Sequence, residues 1–440
     1  MRPLSLLFVF VSAVASGSTR PPCLSRRPAV VPRPAHPRLP VPQPPKRSRV
    51  CEVQTHGDGQ TDDSTLILEA LHACNNGGHV LFGRDATFVV GTALDLTFLQ
   101  HVDIDIQGRI LFSNDTDYWQ ANSFRFGFQN VTSFFKLGGK DVFLYGGGTL
   151  DGNGQAWYDL YAADIYTLRP VLVGIDGLHD SVIADLQLRY SPMYYSFVAN
   201  ASNVVFDHIS IAGASTSKHV AKNTDGWDTY RSRDVTIMNS VIDNGDDCVS
   251  FKPNSTDMLV QSLVCTGSHG ISVGSLSQYP GTLDIVEHIH VANVSLHNAT
   301  NGARIKVWPN APTVLADDLQ GGGGSGRVNN VTYTDIDVAN VDDAIEITQC
   351  YGQKNLMLCV SFPSALTISN VRFRRFTGTT SATYAPEIAA FACSSTAVCG
   401  NISAVDIAVT SPQGSRQAYC LNQDTTTLDV DCTDVWKGFN

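Results

Sequence analysis

One short pattern recurs along the chain, and it limits the possible fold more than any other feature. A polar residue is followed by alternating apolar positions in HVDIDI from His101, DVFLYG from Asp141, SVIADLQL from Ser181 and NVVFDHISI from Asn203. The pattern returns in DVTIMNSVI from Asp234, NVTYTDIDV from Asn330, NVRFRRFTG from Asn370 and NISAVDIAV from Asn401. Period-two alternation rich in β-branched residues predicts strands. Neighbouring copies are often 20 to 40 residues apart, and repetition at such an interval predicts a solenoid in which each turn stacks on the next. A β-sandwich also alternates, but its turns come about every 8–12 residues, closer together than this repeat.

A solenoid must cover its ends, because an open coil exposes unpaired strand edges. Residues 62–74 predict a short N-terminal capping helix. Asp62, Asp63 and Ser64 are good helix starters, and Ile67, Ala70, Leu71 and Cys74 fall on one face at i, i+3, i+4, i+7. The acidic loop before it, GDGQTDD, is rejected as a calcium loop, since Asp63 stands where such loops need glycine. LQGGGGSG at 319–326 lacks the lysine of a phosphate loop and reads as a flexible surface turn.

The first residues predict an exported protein. Leu6 to Val14 form an apolar run behind Arg2, ending in small residues, so 1–17 reads as a signal peptide too short to span a membrane. Residues 18–50 form a Pro/Arg-rich leader or linker. Ten of the chain's 20 prolines lie between Gly17 and Val50, a composition that cannot bury a core. Lys46-Arg47 is either a processing site or part of a basic tail that stays attached. The catalytic domain is expected over 51–440. Residues 1–50 hold nine Lys/Arg and no Asp/Glu, so the remainder carries 30 − 9 = 21 basic against 41 acidic side chains, a net −20. That acidity argues against a nucleic-acid partner.

Eleven cysteines in an exported chain predict disulfides rather than metal sites. The spacing predicts local pairs: Cys51 with Cys74, Cys248 with Cys265, Cys350 with Cys359, Cys393 with Cys399 and Cys420 with Cys432, leaving Cys23 in the leader. Glycosylation sequons stand at Asn114, Asn130, Asn200, Asn254, Asn293, Asn298, Asn330 and Asn401.

Three polar clusters fall on successive repeats: NTDGWD at 223–228, NGDDC at 244–248 and GSHG at 267–270. The interval from Asp225 to Asp246 nearly equals that from Asp247 to His269, so coils of that length stack these side chains at the roughly 4.7–4.9 Å spacing of adjacent strands. Close carboxylates repel and raise at least one pKa. Glycoside hydrolysis needs that arrangement, with one carboxyl protonated to donate to the leaving oxygen and another ionised. Any one of these motifs alone serves a turn or a solvated surface just as well; their shared spacing is what singles them out. Arg304 and Lys306 in ARIKVW alternate on one strand and face one side, where they either bind a substrate carboxylate or neutralise the aspartates.

NTDGWD, NGDDC, GSHGISVGS and ARIKVW, in that order, resemble the four signature motifs of the polygalacturonases, pectin-degrading hydrolases with a right-handed parallel β-helix. The resemblance runs from about residue 51 to the C-terminus. It implies an all-β fold, with Asp246 as general acid, Asp225 and Asp247 holding the attacking water, and His269 setting the protonation of Asp246. Asn223, Arg304, Lys306 and, on the weaker match IEITQCY, Tyr351 would position the sugar. The family inverts the anomeric centre and needs no cofactor or metal. Trp227 stands where many members have Phe. The contexts DTYRS, FKPNST, LQGGGGSG and TQCYGQKNL look most like fungal exopolygalacturonases, which release galacturonic acid from the non-reducing end. The expectation is thus a secreted, extracellular monomer acting on polygalacturonic acid and pectin oligosaccharides, away from membranes. Its site should be closed on one side, with the regions around Asn114, Asn130 and Asn330 as candidates. An endo-polygalacturonase, a rhamnogalacturonan or xylogalacturonan hydrolase, a pectate lyase and a non-catalytic carbohydrate-binding solenoid are the alternatives.

Overall fold

The computed structural model describes residues 47–311 and 321–434. The expected signal peptide, Cys23, Lys46 and part of the 319–326 turn lie outside the described residues. The chain winds a right-handed parallel β-helix, with 25 strands in one continuous sheet. Two parallel stacks dominate. The longer strands run Phe135–Tyr145, Val173–Arg189, Ser202–Ala212, Arg233–Asp243, Ser255–Thr266, Leu283–His297, Ser325–Val341, Ala365–Thr380 and Cys399–Thr410. The shorter ones run Ser196–Ala199, Trp227–Tyr230, Val249–Phe251, Ile271–Leu276, Asn301–Val307, Asp343–Thr348, Glu387–Ala392 and Gln417–Leu421.

The polar residue that opens each repeat has a conformational role. Asn203, Asp234, Asp257, His288, Asn330, Asn370 and Asn401 all sit at φ between 51° and 57°, and the pairing register stacks them in one column. These are left-handed bends within the long strands, where a β-branched residue is strained and Asn or Asp is tolerated. The amides also bond between coils: Asn401 Nδ2 donates to Asn370 Oδ1 at 2.6 Å and Asn203 Nδ2 to Asp180 Oδ1 at 2.8 Å. All the sequon asparagines except Asn114 have positive φ, so the bend geometry accounts for an Asn at these positions with or without a glycan.

Inside, in-register partners form apolar columns. Val198, Thr229, Phe251, Val273, Ile305, Ile347 and Phe391 follow one another from coil to coil, all buried. Each large apolar member stabilises the fold by roughly 1.5–3 kcal/mol.

The N-terminal cap is the helix Ser64–Cys74, which buries the expected face of Ile67, Ala70, Leu71 and Cys74. Cys51–Cys74 ties this helix to the first strand, Arg49–Glu52, and Cys420–Cys432 fastens the last coil. All five expected pairings form. Arg47 is already tied into the body, its buried guanidinium 3.1 Å from both Asp103 and Asp141.

Because each coil touches mainly its neighbours, damage to the cap should stay local. Leu71→Ala, at a site only 1% exposed, is expected to cost about 2–5 kcal/mol. Hydrogen exchange should accelerate in Gly78–Phe82 while Glu387–Ala392 keeps its protection; equal acceleration at both ends would contradict a local capping role.

Candidate active site

The register of the short-strand stack builds the site. Trp227 pairs with Val249 and Val249 with Ile271, so the two coils between them are of equal length. The ladder continues upstream through Gly226 N to Asp247 O and Cys248 N to Gly270 O. Asp225, Asp247 and His269 therefore occupy equivalent positions on three consecutive coils, with Asp246 beside them. Gly270, at φ +89°, makes the turn after His269; a Cβ there would come within 2.4 Å of Asn301 O.

Each acidic group has a defined partner. His269 Nδ1 lies 3.0 Å from Asp246 Oδ1, and the same oxygen accepts from Asp247 N at 2.9 Å. Lys306 Nζ donates to Asp247 Oδ2 at 2.7 Å, and Ser272 Oγ donates to Asp247 Oδ1 at 2.7 Å. Lys252 Nζ stands 3.1 Å from Asp228 and 3.7 Å from Asp225. Arg304 Nε stands 2.7 Å from Glu346, its register partner on the next coil. Asn223, at φ 55°, accepts from Arg169 Nη2 at 2.7 Å. The Tyr351 ring lies 5.6 Å from the Arg304 guanidinium and 5.8 Å from Lys306 Nζ. All eight expected site residues thus gather on one face. Both expected cations are matched by buried carboxylates.

Sequence reasoning missed Asp228, Lys252, Glu346 and Arg169. Asp228 lies inside NTDGWD and is fully buried, facing outward from the core at the register position of Phe197 and Ser250. Lys252 directly follows Val249–Phe251, one coil beyond Tyr230; the interval that joins Asp225 to Asp247, counted from Tyr230, would have found it.

The pKa pattern divides the cluster in two. Burial, reinforced by the charges of Asp228 and Asp246, raises the Asp225 carboxyl well above its ordinary value. Burial pushes Asp228 up to about 6 against the pull of Lys252. For Asp246, burial also pushes upward, but the hydrogen bond and charge of His269 outweigh it and hold the carboxyl well below its ordinary value. Lys306 similarly overcomes burial at Asp247 and lowers its pKa. His269 is disfavoured as a cation by burial, yet its bond to Asp246 raises its pKa above 6.5. The Asp246–His269 pair therefore keeps one proton between them over a wide pH range.

Asp246, Asp247 and His269 are the one such group among the described residues close enough to share a metal ion. Lys306 and His269 already bring positive charge to these carboxylates, so an entering cation would have to displace them.

A loop runs along one edge of this face. It runs from Phe124–Arg125 to Thr132–Ser133, two short antiparallel strands, and Thr132–Ser133 pairs in parallel with Pro170–Val171. Phe126 and Phe128 pack on Phe197 and Tyr230, with ring centroids 5.0 Å apart for Phe126–Phe197 and 4.7 Å for Phe128–Tyr230. Phe197 occupies the column of Asp228, and Tyr230 that of Lys252, each one coil nearer the N-terminus. Tyr230 OH donates to Gly127 O at 3.3 Å and Gln129 Nε2 to Gln278 Oε1 at 2.6 Å. This aromatic wall stands in register with Asp228 and Lys252. Of the three candidate regions, it is the one bearing Asn130; Asn330 instead forms one of the bends in the long-strand stack.

The profile of the family described as Glycosyl hydrolases family 28 matches residues 84–429. The chain belongs to that family. It is 61% identical over 390 residues to an exopolygalacturonase from Cochliobolus carbonum, covering 89% of this chain and 87% of the relative. It is 58% identical over 401 residues to a probable exopolygalacturonase X from Aspergillus terreus, covering 91% and 92%. Among solved structures, the endo-xylogalacturonan hydrolase of Aspergillus tubingensis aligns with a TM-score of 0.77 at 34% identity, over 87% of this chain and 98% of that one. As a family 28 member the chain is a glycoside hydrolase.

The shared proton gives a direct check. Stability from His269 protonation is fully present below its unfolded pKa near 6.5 and is lost as pH rises through the raised folded value. Stability from the Asp246 carboxylate is present above its unfolded pKa and is lost as pH falls through the lowered folded value. The pair thus stabilises most between those limits. NMR titration of the His269 ring should give a pKa above 6.5, and Asp246→Asn should drop it by about one unit or more. An unchanged pKa in the variant would show that the pair is not coupled.

Proposed function

We propose that this chain is a secreted exopolygalacturonase, removing single galacturonic acid units from the non-reducing end of polygalacturonic acid with inversion. The observation that carries the exo reading is the wall formed by Phe126, Phe128, Phe197 and Tyr230, which borders the face at the columns of Asp228 and Lys252. A chain bound there has room for little beyond the cleaved unit on that side. In the other direction the next coils carry Arg304, Lys306 and Tyr351, which line the path of the units that remain. The names of relatives 58–61% identical over most of the chain support the same substrate. Export is supported by the five disulfides, which persist in oxidising compartments, and no described helix is long and apolar enough to cross a membrane.

Asp246 acts as general acid. Its exposed position relative to Asp225 and Asp247 lets it reach the leaving glycosidic oxygen, and the proton it delivers there is the one its pair with His269 holds, drawn from the imidazole as the bond breaks. Asp225 and Asp247, on consecutive coils, hold the water, and Asp247, the ionised one of the two, takes its proton as it attacks the anomeric carbon. Lys306 keeps Asp247 ionised, while Lys252 offsets the repulsion between Asp225 and Asp228. Asn223 holds a sugar hydroxyl.

Asp246→Asn is expected to lower kcat by about 10²- to 10⁴-fold with the fold intact. Near-normal turnover would remove Asp246 from the role. Products decide the mode of attack: monomer from the first minutes, a slow fall in viscosity, and an initial β anomer by NMR. Replacing Phe126–Val131 by a short turn should lengthen the early products. Mixed oligomers from the intact enzyme would defeat the exo reading, and an initial α anomer would defeat inversion. Xylogalacturonan, tested in parallel, should be the poorer substrate.

A further inference from the structure

We propose that Arg169 is the counter-ion for the carboxylate of the galacturonate unit that is removed, an inference that rests on the exo reading above. The other cations around the site are already matched: Lys252 by Asp228, Lys306 by Asp247 and Arg304 by Glu346. Arg169 is different. It is only 4% exposed, and its hydrogen bonds go to neutral acceptors, Pro192 O at 3.0 Å, Lys222 O at 2.6 Å and Asn223 Oδ1 at 2.7 Å. The Tyr161 ring lies 3.6 Å from the guanidinium carbon, another neutral contact. No Asp or Glu among the described residues forms an ion pair with it.

A buried charge without a counter-ion is strongly unfavourable, and burial here does disfavour the charged form. Such a group is tolerated where a ligand supplies the missing charge. Arg169 stands where a terminal unit would lie. It immediately precedes Pro170–Val171, which pairs with the wall strand Thr132–Ser133, and it holds Asn223, just upstream of Asp225. The arginine therefore sits where the wall meets the carboxylates, and Asp246 contributes to its electrostatic surroundings. A galacturonate unit brings one planar carboxylate, which a guanidinium fork binds in bidentate fashion. The carboxylate would satisfy the buried charge, fix the orientation of the ring, and bring its anomeric carbon toward the water held by Asp225 and Asp247.

The test compares digalacturonate with the same disaccharide methyl-esterified only on its non-reducing unit. Wild type should strongly prefer the acid. Arg169→Gln should lose roughly 10- to 100-fold in kcat/KM on the acid and little on the ester, so that the preference collapses. Arg169→Lys, which keeps the buried charge should the glutamine variant fail to fold, should show a smaller drop in the same ratio. Esterifying only the reducing-end unit should leave the Arg169→Gln penalty in place, because that unit lies toward Arg304 and Lys306. Equal losses on acid and ester would mean that Arg169 only braces the Lys222–Asn223 turn, and would overturn the assignment. Release of mixed oligomers from polygalacturonic acid by the wild type would overturn the exo reading and this assignment with it.

Discussion

Parallel in-register pairing between coils is the constraint on which everything else depends. In such a stack a residue lies over its partner on the next coil at roughly 4.7–4.9 Å, so like chemistry accumulates in columns. Inside, this produces the apolar ladder from Val198 to Phe391. Outside, the same rule forces Asp225, Asp247 and His269 together, and the repulsion must be answered by cations from other positions on the face. Lys252, Lys306 and Arg304 provide that answer, each against a carboxylate buried to nearly the same degree. Removing one such cation would leave an uncompensated buried charge, so these pairs are tied to the chemistry and the fold together.

The electrostatic result is a division of labour between neighbouring carboxyls. Asp225 is driven upward by burial and the charges of Asp228 and Asp246, and Asp228 by burial, whereas Asp246 and Asp247 are drawn down by His269 and Lys306. A hydrolase that must keep a proton for one oxygen and a base for a water needs unlike environments within one cluster. The site also has a directional asymmetry. Aromatic side chains crowd the columns of Asp228 and Lys252, and charged ones line the coils that follow.

Much of this was legible because local conformation and long-range register coincide. The Asn or Asp that opens each repeat marks a left-handed bend, so the strands could be found from the spacing of bends and alternating apolar residues. The near-equal intervals from Asp225 to Asp246 and from Asp247 to His269 predicted the stacking of carboxylates and imidazole because the coils from Trp227 to Val249 and from Val249 to Ile271 share that length. Later coils are longer and uneven. Arg304 meets Glu346 across a coil nearly twice as long, an offset set by loop length that no pattern in the sequence announces. Arg169 was invisible for a related reason: it reaches Asn223 from a segment 54 residues earlier, positioned by the wall loop rather than by the repeat. The wall itself has no periodic signal, and its sequon at Asn130 only marked it as a surface segment.

The central claim is that the solenoid register sets the carboxylates against a wall that admits one terminal sugar. A crystal structure of the Asp246→Asn variant with bound trigalacturonate tests it most directly. The account predicts the non-reducing unit between the Phe128–Tyr230 wall and Asp225, with the first glycosidic oxygen in hydrogen-bonding reach of residue 246 and the remaining units over Arg304 and Lys306. Sugar units on both sides of the carboxylates, or a reducing end lodged against the wall, would contradict it.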